Sequence, residues 1–226
     1  MRIMYLISDE AGSSEKGYQG IALLIQGQSE MIQEVLESQL GSKELKFARV
    51  RTNASYTEYA KEALSVFFDT RLSDEGRLII MQSKSDVNEY LDMYEEIFLL
   101  AQSFADQDII FQPDKNTILQ RWKQVKKLRD FGIAEIQEQD SSTNTCVQIM
   151  DIIAISVFLH EHYGTYRTWK ESGNRFEQMD EYARDLHLRC ELVHHFFGLL
   201  ETSFEVTLHE HGLRSISSES VMVLEY

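Results

Sequence analysis

Five acidic positions have the residue type and the setting to bind a metal ion. Asp9, with Glu10 beside it as a supporting group, follows the apolar run Met4-Tyr-Leu-Ile-Ser and precedes Ala11-Gly12. Asp114 comes just after Asp108-Ile-Ile-Phe-Gln and the chain's only proline, Pro113. Asp140 sits in the polar stretch Glu138-Gln-Asp-Ser-Ser-Thr-Asn, and Glu44 belongs to Glu44-Leu-Lys. Asp151 interrupts the apolar segment Cys146–His160 three residues after Gln148, so the two project from one face of a helix. Carboxylates that converge repel one another and are tolerated mainly around hard cations such as Mg²⁺ or Mn²⁺. Two such ions activate a water and stabilise a leaving oxygen in phosphodiester cleavage. Each residue also has a plainer reading: Asp9 and Gly12 are ordinary turn residues, and a buried Arg or Lys would compensate Asp151 as well as a metal.

The elements that must position these groups alternate between strand and helix. Strands are expected over 2–8 and 20–26, joined by the turn-rich 11–17 and paired antiparallel. A helix over 29–40, capped by Ser29, leads to a strand over 44–50. The spacing of Tyr56, Tyr59, Ala60, Ala63, Leu64, Phe67 and Phe68 predicts a helix, followed by a strand over 77–83, a helix over 86–105 and a strand over 108–112. A basic helix over 116–129 and a strand over 132–137 precede the apolar helix at 146–160, which must be buried almost all round. From Thr165 onward the pattern reads as a helical C-terminal extension to a domain of residues 1–164. Its apolar segment Leu192–Leu200 needs a cover, either its own core or a homodimer or partner-protein interface.

Composition limits the alternatives. The 226 residues, 43% hydrophobic and 26% charged, can bury a sizeable core. No charge-free apolar run approaches the roughly 20 residues of a membrane helix, and the N-terminus lacks a signal-peptide pattern, so a cytoplasmic protein is expected. Cys146 and Cys190 read as reduced core thiols. A formal net charge of −15 opposes general affinity for nucleic acid, so DNA or RNA would have to bind locally, at the basic stretches 43–51 and 121–129. All seven histidines lie between 160 and 211, in spacings unlike a helical zinc pair, and read as surface or helix-packing residues. There is no nucleophile elbow, phosphate loop or dinucleotide fingerprint.

Asp-Glu-Ala-Gly at 9–12, Glu44-Leu-Lys, Asp140-Ser and Gln148-Ile-Met-Asp, in that order, resemble a large bacterial family of unknown function with a ribonuclease H-like fold. Members open with Asp-Glu-Ser-Gly and close with Gln-Leu-Ala-Asp. Here Ala11 stands in place of serine and Ile149-Met150 in place of Leu-Ala. The resemblance implies an α/β fold, a mixed sheet flanked by helices, and a Mg²⁺- or Mn²⁺-dependent nuclease of mobile-element or phage-defence settings. Asp9, Glu44, Asp114 and Asp151 would hold the metals, with Asp140 as a further ligand. Glu10 and Gln148 would support them; Lys46, Lys123, Lys126 and Lys127 would touch phosphates. The rival reading is a non-catalytic acidic subunit of a defence or toxin–antitoxin assembly.

Overall fold

The computed structural model describes residues 4–13, 17–26, 34, 37–38, 45, 54–69, 76–82, 87–104, 108–115, 128–163, 181–204, 207–209, 212–215 and 221–225. Strand β1 (Met4–Ser13) pairs antiparallel with β2 (Gly17–Gln26), which pairs antiparallel with β3 (Gly76–Gln82). On the other side of β1 lies β4 (Ile109–Pro113), parallel to it, and then β5 (Ile133–Ile136), parallel to β4. The helices are α1 (Ala54–Phe67), α2 (Val87–Phe104), α3 (Thr145–Tyr163) and α4 (Glu181–Phe204). The mixed α/β sheet flanked by helices that was expected is therefore present.

Side-chain alternation divides the sheet into two faces. Ile7, Leu78 and Ile80 join Ala60, Leu64 and Phe67 of α1, Ile149 and Ile153 of α3 and Phe196 of α4 in one core. On the opposite face Phe111 packs edge-on against Tyr94 and Phe98 of α2, at centroid distances of 5.9 and 4.9 Å. Helix α3 is buried on almost every side, as its composition predicts, with Thr145, Asp151, Ile155 and Phe158 partly accessible among the residues up to 158. Gly132, at φ 73°, takes the left-handed turn between the 3₁₀ turn Leu128–Phe131 and β5. A Cβ there would also meet the Gln102 side chain at 3.2 Å.

Two expectations change. The first strand was expected to stop at Ser8, with Asp9 to Gly12 in a turn; it runs on to Ser13 because β2 continues to pair with it, Glu10 opposite Gly20 and Ser13 opposite Gly17. The region after Thr165 does hold α4, but the chain then returns to strand. Strands β6 (Thr207–His209) and β7 (Gly212–Ser215) pair with each other, and β8 (Val221–Glu225) joins the main sheet parallel to β3. The main sheet thus has six strands in the order β5-β4-β1-β2-β3-β8. A short apolar run such as Val221–Leu224 gives little periodic signal of its own and gains its strand geometry from the β3 edge.

The apolar segment of α4 covers its own core: Leu192, Val193, Phe196, Phe197 and Leu200 are buried against α1 and α3. Two histidines pack between helices, as expected. The His160 ring lies 4.5 Å from that of Phe197. His195 Nε2 is 2.9 Å from Ser65 Oγ and 3.0 Å from the Lys61 carbonyl, and Lys61 pairs with Glu191 at 3.3 Å, so α1 and α4 are joined by polar as well as apolar contacts. Cys146 is buried and forms no disulfide. No helix among the described residues is long and apolar enough to cross a membrane.

Candidate functional site

Strands β1 and β4 run parallel and end their pairing at Ser8 opposite Pro113, with the Asp114 N–H donating to the Ser8 carbonyl at 3.2 Å. One step further in this register come Asp9 and Asp114. Residues directly opposite in a ladder share a face, and Ile7, two before Asp9, faces the core built with α3. The same register carried one step past the last pair puts Asp9 level with Asp114, on the side of the sheet that Ile7 and Gln112 share. Asp9 is only 7% exposed.

The topology makes this spot special. From β1 the chain proceeds outward through β2 and β3, then returns to the other side of β1 to form β4 and β5. Where the direction of winding reverses, the loops at the carboxyl ends of adjacent parallel strands diverge and leave a crevice, the usual ligand site of open α/β sheets. Asp114 also forms a parallel bridge with Gln139 just beyond β5, so the ends of β4 and β5 meet here beside the middle of β1.

Carboxamides along β4, the segment after β5 and the start of α3 are linked to one another and to backbone groups. Gln112, opposite Ile7 in the register and 5% exposed, donates through Nε2 to Gln137 Oε1 at 3.1 Å. Gln139 Nε2 donates to the Gln137 carbonyl at 3.0 Å, and Asn144 Nδ2 donates to Gln139 Oε1 at 3.1 Å. The Asn144 side-chain oxygen accepts the Val147 N–H at 3.2 Å, which caps α3. Gln148, 3% exposed, accepts the Leu45 N–H at 2.7 Å through Oε1 and donates from Nε2 to the Ser141 carbonyl. The Ser141 N–H in turn donates to Asp114 Oδ1 at 3.1 Å. Sequence reading identified Gln148 but not Gln112, Gln137, Gln139 or Asn144. The only advance signal was the density of amides around Asp140.

The loop from Asp140 to Asn144 is closed on itself. The Asp140 carbonyl accepts the Thr143 and Asn144 N–H groups at 2.9 and 3.0 Å, and its carboxylate accepts Ser142 Oγ at 2.6 Å and the Ser142 N–H at 2.9 Å. These two bonds, the side-chain one foremost, hold the Asp140 carboxyl below its ordinary value, with Lys115 at 3.6 Å adding to them. Asp140 is exposed, and its carboxylate is occupied by this turn and by Lys115.

Among the expected site residues, Asp9 and Asp114 each follow the last paired residue of the parallel β1–β4 ladder, and Gln148 is connected to Asp114 through Ser141. Asp151 is half-buried on α3, three residues beyond Gln148. Glu10 lies within β1, opposite Gly20. Glu44, Lys46, Lys123, Lys126 and Lys127 lie outside the described residues, as do the strand expected over 44–50 apart from the buried Leu45 and the basic helix over 116–129 apart from its last two positions. Among the described residues, no three His, Cys, Asp or Glu side chains gather closely enough to hold an ion. Gln112, two residues before Asp114 on the same side of β4, has a buried Oε1 without a hydrogen-bond partner, and carboxylate and carboxamide oxygens are the donor types a hard cation takes.

No family model matches the chain, and no curated protein matches it. The family likeness therefore rests on the short motifs alone. Among solved structures the chain is similar to the ribonuclease H2 from Pyrococcus horikoshii OT3, with 13% identity and a TM-score of 0.38, over 84% of this chain and 99% of that one. A likeness at this level transfers no residue role.

Proposed function

We propose that this protein is a divalent-metal-dependent nuclease that hydrolyses phosphodiester bonds in DNA or RNA. The observation that supports the reading is the parallel β1–β4 register, which ends at Ser8 opposite Pro113 with an acidic residue next on each strand, Asp9 and Asp114, where strand order reverses; carboxylates brought close there repel unless a proton or a cation lies between them. The resident cation would be Mg²⁺ or Mn²⁺. Bound there, it would lower the pKa of a coordinated water and offset charge on the phosphate.

In this reading Asp9 and Asp114 hold the cation, with Glu44 and Asp151 as the further ligands the motif order calls for. The Asp140 turn keeps the β5 end and the start of α3 in place, and the Ser141 N–H, held by the Gln148 carboxamide through its carbonyl, restricts the Asp114 side chain. Lys46, Lys123, Lys126 and Lys127 would contact backbone phosphates without reading bases, the local attraction an acidic protein needs to bind a polyanion. The test is incubation of the protein with labelled single- and double-stranded DNA and RNA, with Mg²⁺, Mn²⁺ or EDTA. Metal-dependent cleavage that disappears in Asp9→Asn supports the reading. Intact substrates under every condition favour the non-catalytic interaction subunit instead.

A further inference from the structure

We propose that Gln148 is the positioning residue of the carboxylate site, a claim that rests on the nuclease reading for its consequence but not for its geometry. Its carboxamide is 3% exposed and joins two backbone segments far apart in sequence: Oε1 accepts from Leu45, the chain neighbour of Glu44, and Nε2 donates to the Ser141 carbonyl. Ser141 then presents its own N–H to Asp114 Oδ1. A single side chain thus fixes both the loop that orients Asp114 and the backbone at Leu45.

The residue type matters. A carboxamide has a donor at one end and an acceptor at the other, which this bridge requires, because Leu45 offers an N–H and Ser141 a carbonyl. Glutamate, when ionised, retains the acceptor and loses the donor. Methionine has a similar length and neither group. The bridge is anchored on a rigid element, since α3 is buried on both sides of Gln148 and capped four residues earlier by Asn144. A ligand oriented from such a scaffold does not need to be reorganised when the cation arrives.

The experiment follows backbone amide exchange and Mn²⁺ binding in the full chain for the parent, Gln148→Met and Gln148→Glu, at pH 8. In Gln148→Met the Leu45 and Ser141 amides should exchange about tenfold faster or more, while those of Ile152 to Ala154 on the same helix keep their protection as the control for folding. In Gln148→Glu, Ser141 should lose protection and Leu45 should keep it. Mn²⁺ affinity should fall about 10- to 100-fold in both, as it does when outer hydrogen-bond partners of a metal site are removed. Ser141 exchange within about twofold of the parent in both variants overturns the proposal, even if the parent binds Mn²⁺ and the nuclease reading stands. A parent that binds no Mn²⁺ overturns the nuclease reading, and the exchange pattern still decides the role of Gln148.

Discussion

Asn144 is the residue whose removal should be felt furthest from its size. It is 7% exposed and makes two contacts of different kinds: it caps α3 through Val147 N–H and donates to Gln139 Oε1. Loss of an asparagine cap costs about 1 kcal/mol. Leaving the half-buried Gln139 oxygen without its donor costs about 1 kcal/mol more. Asn144→Ala should therefore destabilise the protein by about 2 kcal/mol, which lowers the melting temperature by about 4–8 °C in a chain of this size. Asn144→Asp keeps the acceptor and places a negative charge at the helix N-terminus, so it should lose only about half as much. Thermal and urea denaturation of the three proteins decide the matter. A loss below about 0.5 kcal/mol for alanine, or equal losses for alanine and aspartate, would refute the two-contact account.

Other predictions concern titration and charge. Asp140, held low by the Ser142 bonds, should titrate below its ordinary value of 3.8 in a carbon-detected NMR titration, and Ser142→Ala should move the midpoint back up. Because its folded pKa is depressed, the contribution of Asp140 to stability is present above the unfolded value and is lost as pH falls through the folded one. Burial pushes His195 below 6.5, although its bond to the Lys61 carbonyl opposes this. Its contribution is likewise present above 6.5 and lost as pH falls through the folded pKa, so its ring signals should titrate below that value and stability should decline on acidification across it. Changing Lys123, Lys126 and Lys127 together to Glu should weaken binding to all nucleic-acid sequences alike and flatten log K against log salt by roughly 0.7–0.9 per lost contact; an unchanged slope would show these lysines to be a solvated face.

The parts of this architecture that were legible in the sequence are those with a strong periodic or compositional pattern. The nearly unbroken apolar run from Cys146 to Val157 announced a helix buried on all sides, because few environments other than a core accept such a face. Asp9 and Asp114 were legible as acidic residues near the ends of apolar runs, but their level placement on neighbouring strands was not. It depends on the parallel register of two strands about a hundred residues apart, which only the folded sheet sets. The extension of β1 through Asp9 and Glu10 was hidden because Asp-Glu-Ala-Gly has turn-like composition, and pairing with β2 outweighs that local preference. Carboxamides carry no periodic signature, so the chain from Gln112 to Asn144 became visible only as hydrogen bonds. Gln148 stood out against its apolar helix, yet its partners, the backbone at Leu45 and Ser141, leave no trace in residue type.

The central claim, that Asp9 and Asp114 together form a hard-cation site, is tested most directly by calorimetric titration of Mn²⁺ into the full chain and into Asp9→Asn, Asp114→Asn and the double variant. The account predicts saturable binding by the parent, a loss of affinity of about tenfold or more in each single variant, and no measurable binding in the double, since a neutral amide replaces the charge that draws the ion. Mn²⁺ binding that survives both substitutions unchanged, or a parent that binds none, would contradict it.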